Sequence, residues 1–187
     1  MSAFINPPKK IPLFLKLGIW ISKRVTGKDL LPPKLLSWYP KAAIGSGVLE
    51  SLVAHGPKDL DSRILKIVRI QCSLFVSCPF CIDMNSFEYE KDNITLEELA
   101  VLQGKLDLNQ VATFSDREKL AIDYSKGISS TPVSFSPTLI QEIKDHFSER
   151  EIVILATTSA QVNYWARVLA ALGVPPGGFS ENCEISS

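Results

Sequence analysis

Polar and apolar positions along this chain follow a helical rhythm. Leu13, Leu17, Trp20 and Ile21 share one side of an N-terminal segment whose other positions carry Lys16, Lys23 and Arg24. Three stretches read Ser/Thr-x-x-Glu ahead of an apolar run: Thr95 to Glu98, Ser115 to Glu118 and Ser148 to Glu151. Each predicts a helix start, because the hydroxyl accepts from a first-turn amide while the Glu reaches back to the cap amide. Ser136-Pro137 predicts another, a cap followed by proline at the first helical position. Together these signals predict helices over 12–25, 38–54, 61–76, 79–90, 95–104, 115–127, 136–147 and 149–172. No alternating run is bounded by Asn-Gly or Asp-Gly, and "EIVILATTSAQ" sits behind a capping box and runs on too long for a strand. The predicted class is all-α.

Pro32-Pro33, Gly56-Pro57, Thr131-Pro132 and Pro175-Pro176-Gly177-Gly178 read as turns. The expected organisation is a basic arm with a helix over 1–34, a helical domain over 35–178 and a flexible tail over 179–187. A faint internal echo pairs "LDSRILKIV" at 60–68 with "FSEREIVIL" at 147–155, matching Arg63 to Arg150.

Charge changes this picture at one end only. The 187 residues carry no net charge, which argues against a nucleic-acid partner. Residues 1–34 hold seven Lys or Arg against Asp29 alone, leaving the arm at +6 and the rest at −6. Such an arm could lie on an anionic membrane; packing on the body or on a second subunit is the favoured reading. The uncharged run Ile152–Ala166 includes Gln161 and Asn163 and reads as a core helix. No stretch has the length of a membrane span. Neither a signal peptide nor a transit peptide is expected, and the expected compartment is cytoplasmic.

The candidate chemistry lies in "SCPFCIDMN", residues 77–85. Cys78 and Cys81 could be a redox pair, half of a metal site, or two core residues. Zinc needs further ligands, and Cys72, Cys183, His55 and His146 form no spaced pair. No metal or cofactor is expected. Pro79 puts Cys78 at a helix cap and Cys81 in the first turn, where free amides and the helix dipole favour a thiolate. Cys72 reads as core, Cys183 as a thiol of the tail, both histidines as surface residues, and Asp83 as a first-turn charge.

"LDSRILKIVRIQCSLFVSCPFCIDMNS" and "REIVILATTSAQVNYWARVLAALGVP" resemble the carboxymuconolactone decarboxylase-like family, and within it the alkylhydroperoxidase (AhpD-like) branch. The likeness runs from about Leu60 to Val174. It implies an all-α homo-oligomer that reduces hydroperoxides through the cysteine pair, with electrons from a thiol carrier. The family pattern also places a Glu twelve residues before the first Cys and a His four after the second. Lys66 and Asn85 stand there instead, so the proton relay is degenerate. Asn cannot titrate, and a lysine is protonated at neutral pH.

Arg63, Lys66 and Arg69 recur every three residues, as a solvated basic stripe would. Glu88 falls on the helix face of Cys78, Cys81 and Asn85 if that helix reaches residue 90, and could then stand in for the lost base. The expected function is thiol-dependent and peroxidase-like, with Cys81 attacked by peroxide and Cys78 resolving. The alternative is a catalytically weak or silent member serving as an oligomeric binding module or redox sensor. A third reading is chemistry on a small organic acid held by Lys66 or Arg167.

Overall fold

All three predicted capping boxes form, with both reciprocal hydrogen bonds in each. The computed structural model describes residues 2–56 and 59–179. Within them the chain forms α1 (Leu13–Thr26), α2 (Leu31–Leu36), α3 (Pro40–Leu49), α4 (Ser62–Phe75), α5 (Pro79–Asn85), α6 (Leu96–Leu102), α7 (Asp116–Ser129), α8 (Pro137–His146) and α9 (Glu149–Leu172). Short 3-10 turns cover Glu50–Val53, Tyr89–Asp92 and Leu108–Gln110, and no strand occurs among the described residues.

The central element is α4. Asp61 caps it by accepting from the Arg63 amide, and eight consecutive-turn residues from Ile64 to Ser73 are buried. It packs against α5, α7 and α9, and α7 packs in turn against α8 and α9. One face sends Val68 and Cys72 into a cluster with Ala121, Leu155 and Val162. Another sends Ile67 and Ile70 toward Leu99, Phe114 and Ile122. Ile67, Val68 and Ile70 are wholly buried. Burial of that kind stabilises by about 1.5–3 kcal/mol per side chain, an upper figure for a real unfolded chain. The two segments of the internal echo thus become α4 and α9, packed on each other. Arg63 and Arg150 part company there: Arg63 is half-buried, whereas exposed Arg150 pairs with Asp59.

The arm is tied to the body at its start. The Phe4 amide donates to Leu172 O at 2.9 Å, and the Phe4 ring lies against Gly173, which ends α9 at φ 64. A Cβ at Gly173 would come within 2.6 Å of that ring, so both the left-handed turn and the close approach demand glycine.

Three expectations need correction. Pro32 and Pro33, read as a turn, lie in the first turn of α2, where a missing N–H costs nothing. The segment 38–54 is interrupted: Pro40 opens α3, and the chain tightens to 3-10 from Glu50. The helix expected over 79–90 stops at Asn85, and Glu88 (φ 55) and Asn93 (φ 56) turn the chain left-handed beyond it. Phe179 is buried, and the other tail residues, Cys183 among them, lie outside the described residues. Among the described residues no helix is long and apolar enough to cross a membrane.

Candidate functional site

The site begins where α4 ends. Ser77 takes φ 49 and folds the chain back, and the Cys78 amide donates to Ser73 O at 3.1 Å. Pro79 then opens α5, with Cys78 at its cap. The two cysteines form a disulfide across this first turn, with Cα atoms 5.2 Å apart. Each is only 4% exposed, in a cluster with Leu35, Phe80, Ala166, Leu169 and Val174. The Cys81 amide donates to Cys78 Sγ at 3.3 Å. Cys78 is the cap residue, and its sulfur accepts from the amide three residues on, as an N-cap side chain does.

Ser73 stands between the pair and Asn85. It is fully buried, and its hydroxyl donates to Arg69 O at 2.7 Å and accepts from Asn85 Nδ2 at 2.9 Å. Its carbonyl meanwhile holds Cys78. Sequence reasoning missed Ser73, although its place in the last turn of α4 puts it at the α4–α5 corner. Asn85 thus packs back onto α4 with its amide engaged.

The basic stripe on α4 is not solvated. Arg63 Nε donates to Glu118 Oε1 at 2.5 Å and Nη2 to Glu98 Oε1 at 2.6 Å. Lys66 Nζ donates to Phe87 O at 2.6 Å, and burial, the largest influence, lowers its pKa. Arg69 Nε and Nη2 are buried with no hydrogen-bond partner among the described residues. The reason is central placement: α4 has neighbours on nearly every side, so a spacing of three does not keep a residue in water.

Glu88 is corrected as well. Because α5 stops at Asn85, Glu88 leaves the face of the cysteines, and its carboxylate meets Lys91 Nζ at 2.6 Å on the surface. Asp83, expected as a first-turn charge, lies beyond the first turn of α5 and is buried, and its Oδ1 accepts from the Phe179 amide at 2.8 Å. Arg167 is exposed and donates to Asn163 Oδ1. Cys72 is wholly buried, and burial pushes its thiol pKa up. His146 is exposed, whereas His55 is half-buried.

An open cleft of about 570 Å³ lies elsewhere. Its lining carboxylates are already engaged: Asp59 by Arg150, Asp61 by the α4 cap, Glu118 by Arg63 and Ser115, and Glu151 by Arg117 and Ser148. None of Lys66, Cys78, Cys81 or Asn85 lines it. Among the described residues no group of three or more His, Cys, Asp or Glu could hold a metal ion.

With the geometry in place, the chain can be set beside known proteins. No family model matches it. It is 25% identical to the uncharacterized protein YnjA of Escherichia coli (strain K12) over 174 residues, covering 93% of this chain and 94% of that one. It is 26% identical to the uncharacterized protein YdfG of Bacillus subtilis (strain 168) over 140 residues, covering 74% and 93%. Among solved structures, the alkylhydroperoxidase AhpD core of a peroxidase-related protein from Ralstonia eutropha JMP134 superposes with a TM-score of 0.75 at 12% identity, covering 94% and 93%. The debrominase Bmp8 superposes with the same score, 0.75, at 15% identity, covering 92% of each chain. A peroxidase-related protein from Silicibacter sp. TM1040 gives 0.74 at 14% identity, covering 95% and 94%.

Proposed function

We propose that this chain, whose AhpD-like fold is shared with peroxidase-related proteins and with a debrominase, is a thiol-dependent redox protein that reduces hydroperoxides through Cys78 and Cys81. The observation that carries the reading is the bonded pair at the start of α5, with a helix amide on one sulfur. In the reduced form, the Cys81 thiolate attacks the terminal oxygen of the hydroperoxide. The O–O bond breaks, the alkoxide takes a proton and leaves as alcohol, and Cys81 becomes a sulfenic acid. Cys78, the capped sulfur and so the better-stabilised thiolate, attacks that sulfur. The disulfide forms, and hydroxide leaves as water after taking a proton. A dithiol donor then returns two electrons and two protons.

The deciding measurement is peroxide reduction with a dithiol donor, wild type against Cys81→Ser. Equal rates overturn the reading. Trapping the sulfenic acid in Cys78→Ser protein should mark Cys81; a mark on Cys78 in Cys81→Ser protein reverses the two roles.

A second reading, a weak or silent member acting as a binding module or redox sensor, has its own support. Asn85 is held by Ser73 and Lys66 by a carbonyl, so neither position offers a proton acceptor. Reversible disulfide formation without turnover would favour it. We further propose self-association. Leu13, Trp20 and Val25 of α1 and Val48 of α3 are all more than half exposed, more apolar surface than a lone small domain usually leaves in water. Sedimentation as a 20.7 kDa particle would refute that.

A further inference from the structure

Arg69 lies on the face of α4 that also carries Lys66, three residues before it, and Ser73, four after. Its Nε and Nη2 are buried, and neither has a hydrogen-bond partner among the described residues. Burial, the largest influence on the group, lowers its pKa; the charges of Glu50 and Asp92 act the other way. Neither acid reaches those two nitrogens. Glu50 Oε1 is instead taken by Gln161 Nε2 at 3.0 Å and by Trp165 Nε1.

Which nitrogens are unmatched is informative. Nε–H and one Nη2–H point the same way along one edge of a guanidinium. That edge meets both oxygens of a carboxylate in a single plane. A buried guanidinium edge without a counter-charge is costly, and native interiors rarely keep one without use. Two neighbours extend the site. His55 Nε2 is also buried without a partner, and the Arg69 charge acts on that ring. Burial favours the neutral imidazole, which donates through Nε2–H in one tautomer. Lys66 spends one N–H on Phe87 O, and an ammonium has three.

We infer that Arg69, with His55 and Lys66 beside it, is an oxyanion-binding site whose ligand is the carboxylate of a small organic acid. Arg69 as a whole is half-buried while its Nε and Nη2 are covered, so a ligand reaches that edge by displacing what covers it. Trp165 links Glu50, whose charge acts on Arg69, to the cysteine corner: its Nε1 donates to Glu50, while its ring packs against the cluster of Cys78, Phe80 and Cys81. The inference stands apart from the thiol reading, and its test reads binding rather than turnover.

The test is calorimetric titration of the full chain with benzoate, acetate and inorganic phosphate, each against chloride at matched ionic strength. Saturable binding of the carboxylates is expected. Arg69→Gln should weaken it by at least about tenfold, as loss of a charge-assisted bidentate pair requires. Arg69→Lys keeps the charge and loses the flat edge, so it should weaken binding by a similar factor while serving as the variant least disturbing to the fold. Glu50→Gln, which removes a negative charge acting on Arg69, should tighten it. Circular dichroism must show native helicity in each variant. No saturable carboxylate binding by wild type overturns the inference, as does equal affinity in the folded Arg69→Lys protein. Saturation by phosphate but not by benzoate or acetate overturns the carboxylate assignment.

Discussion

Two arginines on one helix, less than two turns apart, have opposite surroundings. Arg63 is saturated: three of its nitrogens reach Glu98, Glu118 and the Asn93 carbonyl. Thr113 Oγ1 and the Thr95 amide complete Glu98 at 2.5 and 2.8 Å. Burial drives the Glu98 pKa up, yet the hydrogen bonds from Arg63, Thr113 and Thr95 together outweigh it and hold the carboxyl below its ordinary value. Arg69 has the same side chain and the same helix but no hydrogen bond on its Nε/Nη2 edge. The first arrangement is a finished structural joint between α4, α6 and α7. The second is chemistry without a structural partner, close to Lys66 and to the corner that holds the cysteine pair. Satisfaction of a buried charge, more than its presence, separates the part of the molecule that holds the fold from the part open to function.

The sharpest way to break that contrast is to truncate each arginine. Arg63→Met leaves two buried carboxylates uncompensated and should cost about 3–5 kcal/mol. Arg69→Met removes no hydrogen bond at its fork edge and should stay within about 1 kcal/mol of wild type or stabilise. Urea denaturation with unchanged slopes measures both, and equal losses would erase the distinction.

The next effect concerns the cysteine corner. Lys66→Glu with Asn85→His restores titratable groups at the two relay positions. General acid–base assistance is typically worth about 10²–10⁴ in rate, so dithiol-dependent peroxide reduction should rise at least about tenfold. It should also gain a pH dependence near neutrality, where histidine titrates. A folded double variant no faster than wild type would favour the sensor or binding-module reading.

Acid should act on the carboxylates that the fold has paired. Glu98 and Glu151 both have lowered pKa values in the fold; at Glu151 burial raises the pKa, but the Ser148 amide, Arg117 and the Ser148 hydroxyl outweigh it. A lowered carboxyl contributes stability that is present above its unfolded pKa, about 4.3 for Glu, and lost as pH falls through the folded value. Thermal midpoints should therefore drop below about pH 4, and less steeply in Arg63→Met, whose Glu98 has lost its main partner. Identical pH slopes in the two proteins would contradict this.

Smallest of all is Glu88→Gln. Its partner Lys91 is on the surface, and exposed pairs are worth about 0–1 kcal/mol, so neither stability nor peroxide turnover should move measurably. A clear loss of turnover would return Glu88 to the site.

Local chemistry was enough to read much of this molecule from the chain alone. A capping box is written in four residues and satisfied within them, so the starts of α6, α7 and α9 were legible without tertiary context. The same holds for Cys78-Pro79-Phe80-Cys81, since proline at the first helical position places two sulfurs on one turn whatever packs around them. The tertiary structure decided what lies across from each side chain. Periodicity showed Arg63, Lys66 and Arg69 to share a stripe, but Glu98 and Glu118 come from elements 35 and 55 residues away. Glu50 lies 115 residues before the Trp165 it binds. The end of α5 was equally illegible: its stop depends on left-handed residues beyond Ser86, which no local preference marks at Glu88. Caps and turns are short-range bonds that a sequence states outright. The pairing of a buried charge is a long-range contact, fixed only when the helices carrying the two partners pack.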